Sequence, residues 1–422
     1  MADIASGDGA YDMENGYELT KVIGGLSYPT NIEFGDNGEL YFTEAGFTYP
    51  FIYKKSRIYR LLDNGKKQVV ADGFHGPLIG LKWHQNGFLA AHRGTLSRVE
   101  LDGTRTDLVT DIPAFGDHHT NHIVVSDGKV YFGQGTITNA GVVGKDNAVI
   151  FGWLVKHHQG HDTPAHDVVL AGKNYRSLNP LKPIETVETG PYLPLGTPAQ
   201  AGEVVRGALK SNGVVYRCNP DGTALEVYAW GLRNPYGLAL HGESGRIFVL
   251  DQGADARGSR PVETPDALYE LKDGAWYGWP DFFAGRPITD YDPEAQFVLQ
   301  EHPVHEVPVH TFTAHSSSVT LDFSTSDSFG FKGHAFVAQY GTEAPFTTGG
   351  KPLTAGRAVV RVELGTMTEQ PFFRSKTVAG IGKGPNRPVA AKFSPDGDAL
   401  FIMDHGVRTI PKSGGIWKIT RQ

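Results

Sequence analysis

Apolar and polar residues alternate with a period of two along most of the chain, in short runs broken by Gly, Asp and Asn. One phrase recurs, a turn followed by a short apolar strand. It stands as DNGELYFTE from Asp36, QNGFLAAH from Gln85, SDGKVYFGQ from Ser126, ESGRIFVLD from Glu243 and PDGDALFIMD from Pro395, with KGHAFVAQY from Lys332 as a looser copy. Each is followed by a second alternating strand: SRIYRLLDNG, GTLSRVELDG, NGVVYRCNPDG, DALYELKDG, RAVVRVELG and GGIWKIT. Period-two patterning between Gly/Asp/Asn turns makes each pair part of a small antiparallel sheet. Such a sheet cannot bury both faces alone, but radial stacking of six covers them. The pattern therefore predicts an all-β, six-bladed β-propeller; a pair of β-sandwiches accounts less well for the strict alternation.

The strand YELTKVIGGL from Tyr17 is expected to pair with the last unit and close the ring. That division gives an N-terminal extension over 1–16 and a single propeller domain over 17–422. Three stretches interrupt the repeats, at about 138–205, 280–310 and 341–356. Long loops on a rigid scaffold are where binding chemistry gathers, so they should mark the active-site face.

Composition narrows the partners. The 422 residues are 40% hydrophobic and 20% charged, with a formal charge of −7, which argues against a nucleic-acid or anionic-membrane partner. Cys218 is the only cysteine, so an internal disulfide or a cysteine-based zinc cluster is impossible. No apolar run approaches a membrane span, and the first residues, MADIASGDGAYDMENG, lack the pattern of a signal peptide.

Four segments carry candidate chemistry. YAWGLRNPYGLAL places Arg233 and Asn234 inside an apolar run, where a guanidinium needs partners or a ligand. GDHHTNH precedes the third unit's inner strand and offers His118, His119 and His122 as general base or metal ligands, with Asp117 to orient one of them. Loop histidines in ordinary hydrogen bonds are the competing account. LDQGADARGSRP brings the Gly253 and Ala254 carbonyls near Asp251 and Asp255, oxygens that suit Ca²⁺, although an acidic turn without an ion fits as well. GPNRPVAAKFSPDG puts Arg387 just before the sixth unit's strand. The run KHHQGHDTPAH lacks zincin spacing and reads as a solvated loop.

Together these segments resemble the soluble quinoprotein glucose dehydrogenase and aldose (sorbosone-type) sugar dehydrogenase family. GLRNPYGLA is the most specific motif, joined by YGWP at Tyr277, HGPLIGLKWH at His75, DHHTNHIVV at Asp117, LDQGA at Leu250 and TAHSS at Thr313. The resemblance implies a propeller that holds pyrroloquinoline quinone (PQQ) and Ca²⁺ over its central channel and oxidises a sugar C1 hydroxyl to the lactone by hydride transfer to the quinone. His118 would be the general base and Arg233 would flank the quinone carbonyl. Asn234, Arg387 and Lys351 would bind the cofactor, Gly253 and Ala254 the metal, and His75, Asp117 and His119 would face the sugar. It also implies an external electron acceptor and a periplasmic or secreted location. The pattern departs at Pro385, where a second arginine is expected, and at Thr136, where a carboxylate would orient the histidine. A metal-dependent hydrolase or lyase that has lost PQQ, using His75, His119 and His122, and a non-catalytic display propeller are the alternatives.

Overall fold

The computed structural model describes residues 4–7, 9–48, 51–52, 56–182, 184–351, 353–376 and 383–422. Six antiparallel sheets stand in chain order around a central channel, and each blade's first strand lies innermost. The inner strands are Pro29–Phe34, Leu78–His84, Thr120–Ser126, Pro235–Leu240, Ser318–Phe323 and Pro388–Phe393. The apolar phrases of the repeat are the second strands, which bury nearly every residue because both of their faces pack against neighbouring blades.

Ring closure follows the expectation. Tyr17–Leu26 is the outer strand of the sixth blade, paired with Gly414–Arg421. The stretch before it is built into the ring as well. Tyr11–Glu14 pairs with the outer strand of the fifth blade, and Ile4–Gly7 pairs in turn with Tyr11–Glu14.

Two devices recur in every blade and position the site. First, all six inner strands shift register one or two residues after they begin. A bulge of this kind leaves a residue unpaired and re-aims its side chain. Second, the last residue of each second strand pairs with the first residue of the inner strand and is polar: Glu44, His92, Gln134, Asp251, Gln339 and Asp404. Several of these side chains accept hydrogen bonds from the loop that enters the inner strand. Asp251 binds the Arg233 and Asn234 amides, Asp404 the Arg387 amide and Glu44 the Ser27 amide. In these three blades the approach to the inner strand is held by directional side-chain bonds.

The insertions differ in what they do. Residues 138–205 hold a short helix, Lys145–Val149, and two hairpins before the third blade resumes at Val214. From the loop at 341–356, Gly341, Thr342, Glu343 and Thr347 line the cavity at the channel mouth. The stretch at 280–310 instead packs on the flank around the buried Asp281, whose carboxylate takes Arg260 at 2.7 Å, His302 at 2.9 Å and the amides of Val298 and Leu299. Arg260 also donates to the carbonyls of Ala140 and Pro280, tying this insertion to the first.

Candidate active site

The residues that the bulges set free form the floor of a cavity of about 280 Å³: Thr30, Ile79, Asn121, Tyr236, Val319 and Val389, one from each blade. The loops before and after the strands supply the walls, and His118, Arg233, Asn234 and Gly253 all face this space.

His118 is buried, and its Nδ1 lies 2.9 Å from the Thr136 carbonyl and 3.1 Å from the Thr136 hydroxyl. That hydroxyl donates to the Thr138 carbonyl, so its oxygen is left as an acceptor. Both neighbours of Nδ1 therefore accept, which places the proton on Nδ1 and leaves Nε2 as a bare acceptor. Burial, then the charges of Arg233 and Arg257, push the imidazole well below the usual histidine range. Thr136 does by hydroxyl and carbonyl what a carboxylate would do by charge. Gly135 is required here: a Cβ would lie 2.4 Å from His118 Cβ and 2.6 Å from Asn234 Oδ1.

Arg233, at 3% exposure, is clamped rather than solvated. Its Nε and Nη2 donate to the carbonyl and side-chain oxygens of Asn139 at 3.1 and 2.8 Å, and Nη2 lies 3.3 Å from Asp255. These bonds answer why an arginine can sit inside an apolar run. Asn234 accepts from Asn121 at 2.9 Å and donates to Gln252 at 2.5 Å, and Gln252 continues to Ser317 at 2.7 Å. Asn121 Oδ1 is a buried acceptor with no hydrogen-bond partner.

Asp255 is the electrostatic hub. Burial alone would raise its carboxyl, yet the His315 hydrogen bond and the charges of Arg233 and Arg257 hold it well below the usual carboxylate range. His315 sits 3.5 Å from Asp255 and 3.1 Å from Glu263, and these partners raise it despite its burial. The Gly253 carbonyl enters none of the described hydrogen bonds, whereas the Ala254 carbonyl accepts the Thr264 amide. Ala254 is not among the residues that line the cavity.

Other expected site residues are placed differently. Asp117 lines the cavity, but its carboxylate is taken by Asn147, Trp153 and Arg257 at 3.0, 2.7 and 2.7 Å. Burial, against the pull of Arg257, raises it to about 6. It is a structural anchor and not a free sugar ligand. His119 lines the cavity with Nδ1 3.1 Å from the Ala114 carbonyl, and burial and Arg93 lower it to about 3. His75 is exposed and stands apart from the cavity wall. Lys351 is exposed as well and does not line the cavity, because its loop turns back through hydrogen bonds between Thr348 and Lys351. Arg387 is set behind the wall, over the Tyr340 ring at 4.6 Å and 3.4 Å from Glu343. The wall cation on the sixth blade is Arg408, which approaches the other Glu343 oxygen at 3.0 Å.

His122 leaves the group altogether. The third blade's bulge frees two residues, and while Asn121 faces the upper cavity, His122 faces a second one of about 180 Å³ lower in the channel. Sequence reasoning passed over Arg257, Asp146, Glu343 and Arg408. Arg257 stood unremarked inside LDQGADARGSRP, and His315 left a trace inside TAHSS.

Comparison with known proteins falls on the same residues. Residues 196–344 match the profile of the glucose/sorbosone dehydrogenases. The expected family resemblance is borne out over that segment, which carries Arg233, Asn234, Gly253, Asp255, Arg257, His315 and Glu343. No curated protein matches the chain significantly. Among solved structures, the holo PQQ domain of pyranose dehydrogenase from Coprinopsis cinerea is 16% identical with a TM-score of 0.62, covering 97% of both chains. PQQ-bound aldose sugar dehydrogenase from Streptomyces coelicolor is 15% identical with a TM-score of 0.57, over 97% of this chain and 99% of that one. A calcium structure of a carbohydrate-active enzyme from Trichoderma reesei is 16% identical with a TM-score of 0.59, over 98% and 97%. The six-bladed propeller is thus shared along the whole length.

Proposed function

We propose that this protein is a quinoprotein sugar dehydrogenase that oxidises the C1 hydroxyl of an aldose or related sugar to the lactone, with PQQ and Ca²⁺ as cofactors. The observation that carries the reading is the bare Nε2 of His118 in the cavity that Arg233 and Gly253 also line. The residues present suit a flat, anionic ring. Tyr236 on the floor and Tyr340 on the wall give aromatic faces, Arg233 and Arg408 give cations, and Asn121 Oδ1 is an orphaned polar atom on the floor. The Gly253 carbonyl is available to a cation, but one or two backbone carbonyls fall short of the six to eight oxygens Ca²⁺ takes, so cofactor and water must complete the shell.

When bound, PQQ supplies the electrophilic quinone carbonyl that takes up the hydride, polarised by Ca²⁺. The rest belongs to this chain. His118 Nε2 accepts the proton of the sugar hydroxyl, with Thr136 fixing the ring's tautomer and tilt. Arg233, locked by Asn139 and Asp255, presents a positive charge that needs no reorganisation as negative charge develops beside it. An external electron acceptor and a periplasmic or secreted location belong to the same reading. The metal-hydrolase alternative draws no support. His122 faces the lower channel, apart from His119, and no trio of His, Cys, Asp or Glu among the described residues is grouped for a metal.

Titrating the protein with PQQ in Ca²⁺ buffer tests the proposal through the quinone's absorbance. A saturable shift is expected in the wild type and its loss in Arg233→Ala. No shift in the wild type would refute it.

A further inference from the structure

Arg257 lies in the loop after the fourth blade's second strand, is 7% exposed and lines the cavity. Its Nη1 donates to Asp117 at 2.7 Å and to Asp146 at 2.6 Å, and its Nε donates to Asp255 at 3.1 Å. The guanidinium also lies 4.3 Å from the centre of the Phe151 ring. Asp146 and Phe151 come from the first insertion, which therefore exists in part to hold this group still. Nη2, with two N–H donors in a fixed fork, takes part in none of the described hydrogen bonds.

Three carboxylates already match the charge of Arg257. An incoming carboxylate would add a fourth negative group beside Asp117, Asp146 and Asp255, whereas a neutral hydroxyl or ring oxygen adds none. Arg408, which shares Glu343 with Arg387, is the wall cation left for an anionic group. We propose that Arg257 is a specificity-determining residue whose Nη2 donates to an oxygen of a neutral sugar, so that the cavity takes neutral aldoses and rejects their uronic acids. The inference rests on the sugar-oxidising reading above and deepens it.

Calorimetric titration of the full chain with glucose, galactose and xylose, and with glucuronate and galacturonate, tests it, beside dye reduction after PQQ loading. At least one neutral aldose should bind about 10-fold more tightly than its uronate, and Arg257→Lys should weaken that binding about 10-fold. The lysine keeps the charge that the carboxylates need but loses the fork. If Arg257→Lys does not fold, Asp146→Asn decides: removing one matched carboxylate should narrow the gap between aldose and uronate. Equal binding of aldose and uronate, no binding of any aldose, or unchanged affinities in both variants would overturn the inference. The expected binding pattern without dye reduction would leave it standing and refute the oxidation instead.

Discussion

The upper cavity and the lower channel are built from the same six strands, yet their chemistry differs. Below, Lys82 lies 3.3 Å from Glu33 and Lys392 lies 3.5 Å from Asp322, two pairs that each join neighbouring inner strands and cancel one to one. His122 stands among them, neutral through burial and lowered to about 3. Above, the side chains come from bulges and loops, and one carboxylate serves several cations: Asp255 two arginines and a histidine, Glu343 two arginines. Regular strand pairing gives a closed, self-neutral lining. Broken pairing and insertions give one histidine with an open nitrogen and cations whose partners a ligand can replace.

The largest expected effect is on catalysis. His118→Gln should lower aldose oxidation by at least about 100-fold, as for loss of a general base, while His122→Gln should change it by less than about twofold in the same dye-reduction assay. Next comes the cofactor. Arg408→Gln should weaken PQQ binding about 10-fold in an absorbance titration, and Lys82→Gln should leave it unchanged. Gly135→Ala should cost about 1–3 kcal/mol in denaturant unfolding, because the new methyl presses on His118 and Asn234.

The smallest effect concerns pH. The native pKa of His122, about 3, lies below its unfolded value, so the unfolded state binds the proton first as pH falls. Its contribution is intact above about 6.5 and is lost progressively down to about 3. Replacing it with Gln should therefore flatten the fall of Tm with acidification over that window, and an unaltered slope would show that His122 is not held neutral.

Much of the fold was legible because the repeat is local. Turn, apolar strand and alternating strand sit within about 20 to 35 residues in every unit but the third, and Glu44, Gln134, Asp251 and Asp404 can be found by their place at the end of their apolar phrases. His118, Arg233, Asn234 and Gly253 were legible too, since each sits at a fixed distance from an inner or second strand. Arg257 was not: its partners Asp117 and Asp146 are more than 100 positions away and meet it only because the first insertion folds back. Lys351 and Arg387 misled for the same reason. Position in a loop or before a strand says little about whether a long side chain reaches the cavity, and Tyr340 and Glu343 hold Arg387 behind the wall.

The pH dependence of kcat/KM for aldose oxidation by the PQQ- and Ca²⁺-loaded protein bears most directly on the claim that a neutral, buried His118 is the base. With its imidazole pushed well below the usual range, activity should hold as pH drops through 6.5 and fall only at lower pH, and His118→Gln should abolish that acid limb. An acid limb at or above pH 6.5, or one that survives in the variant, would contradict the account.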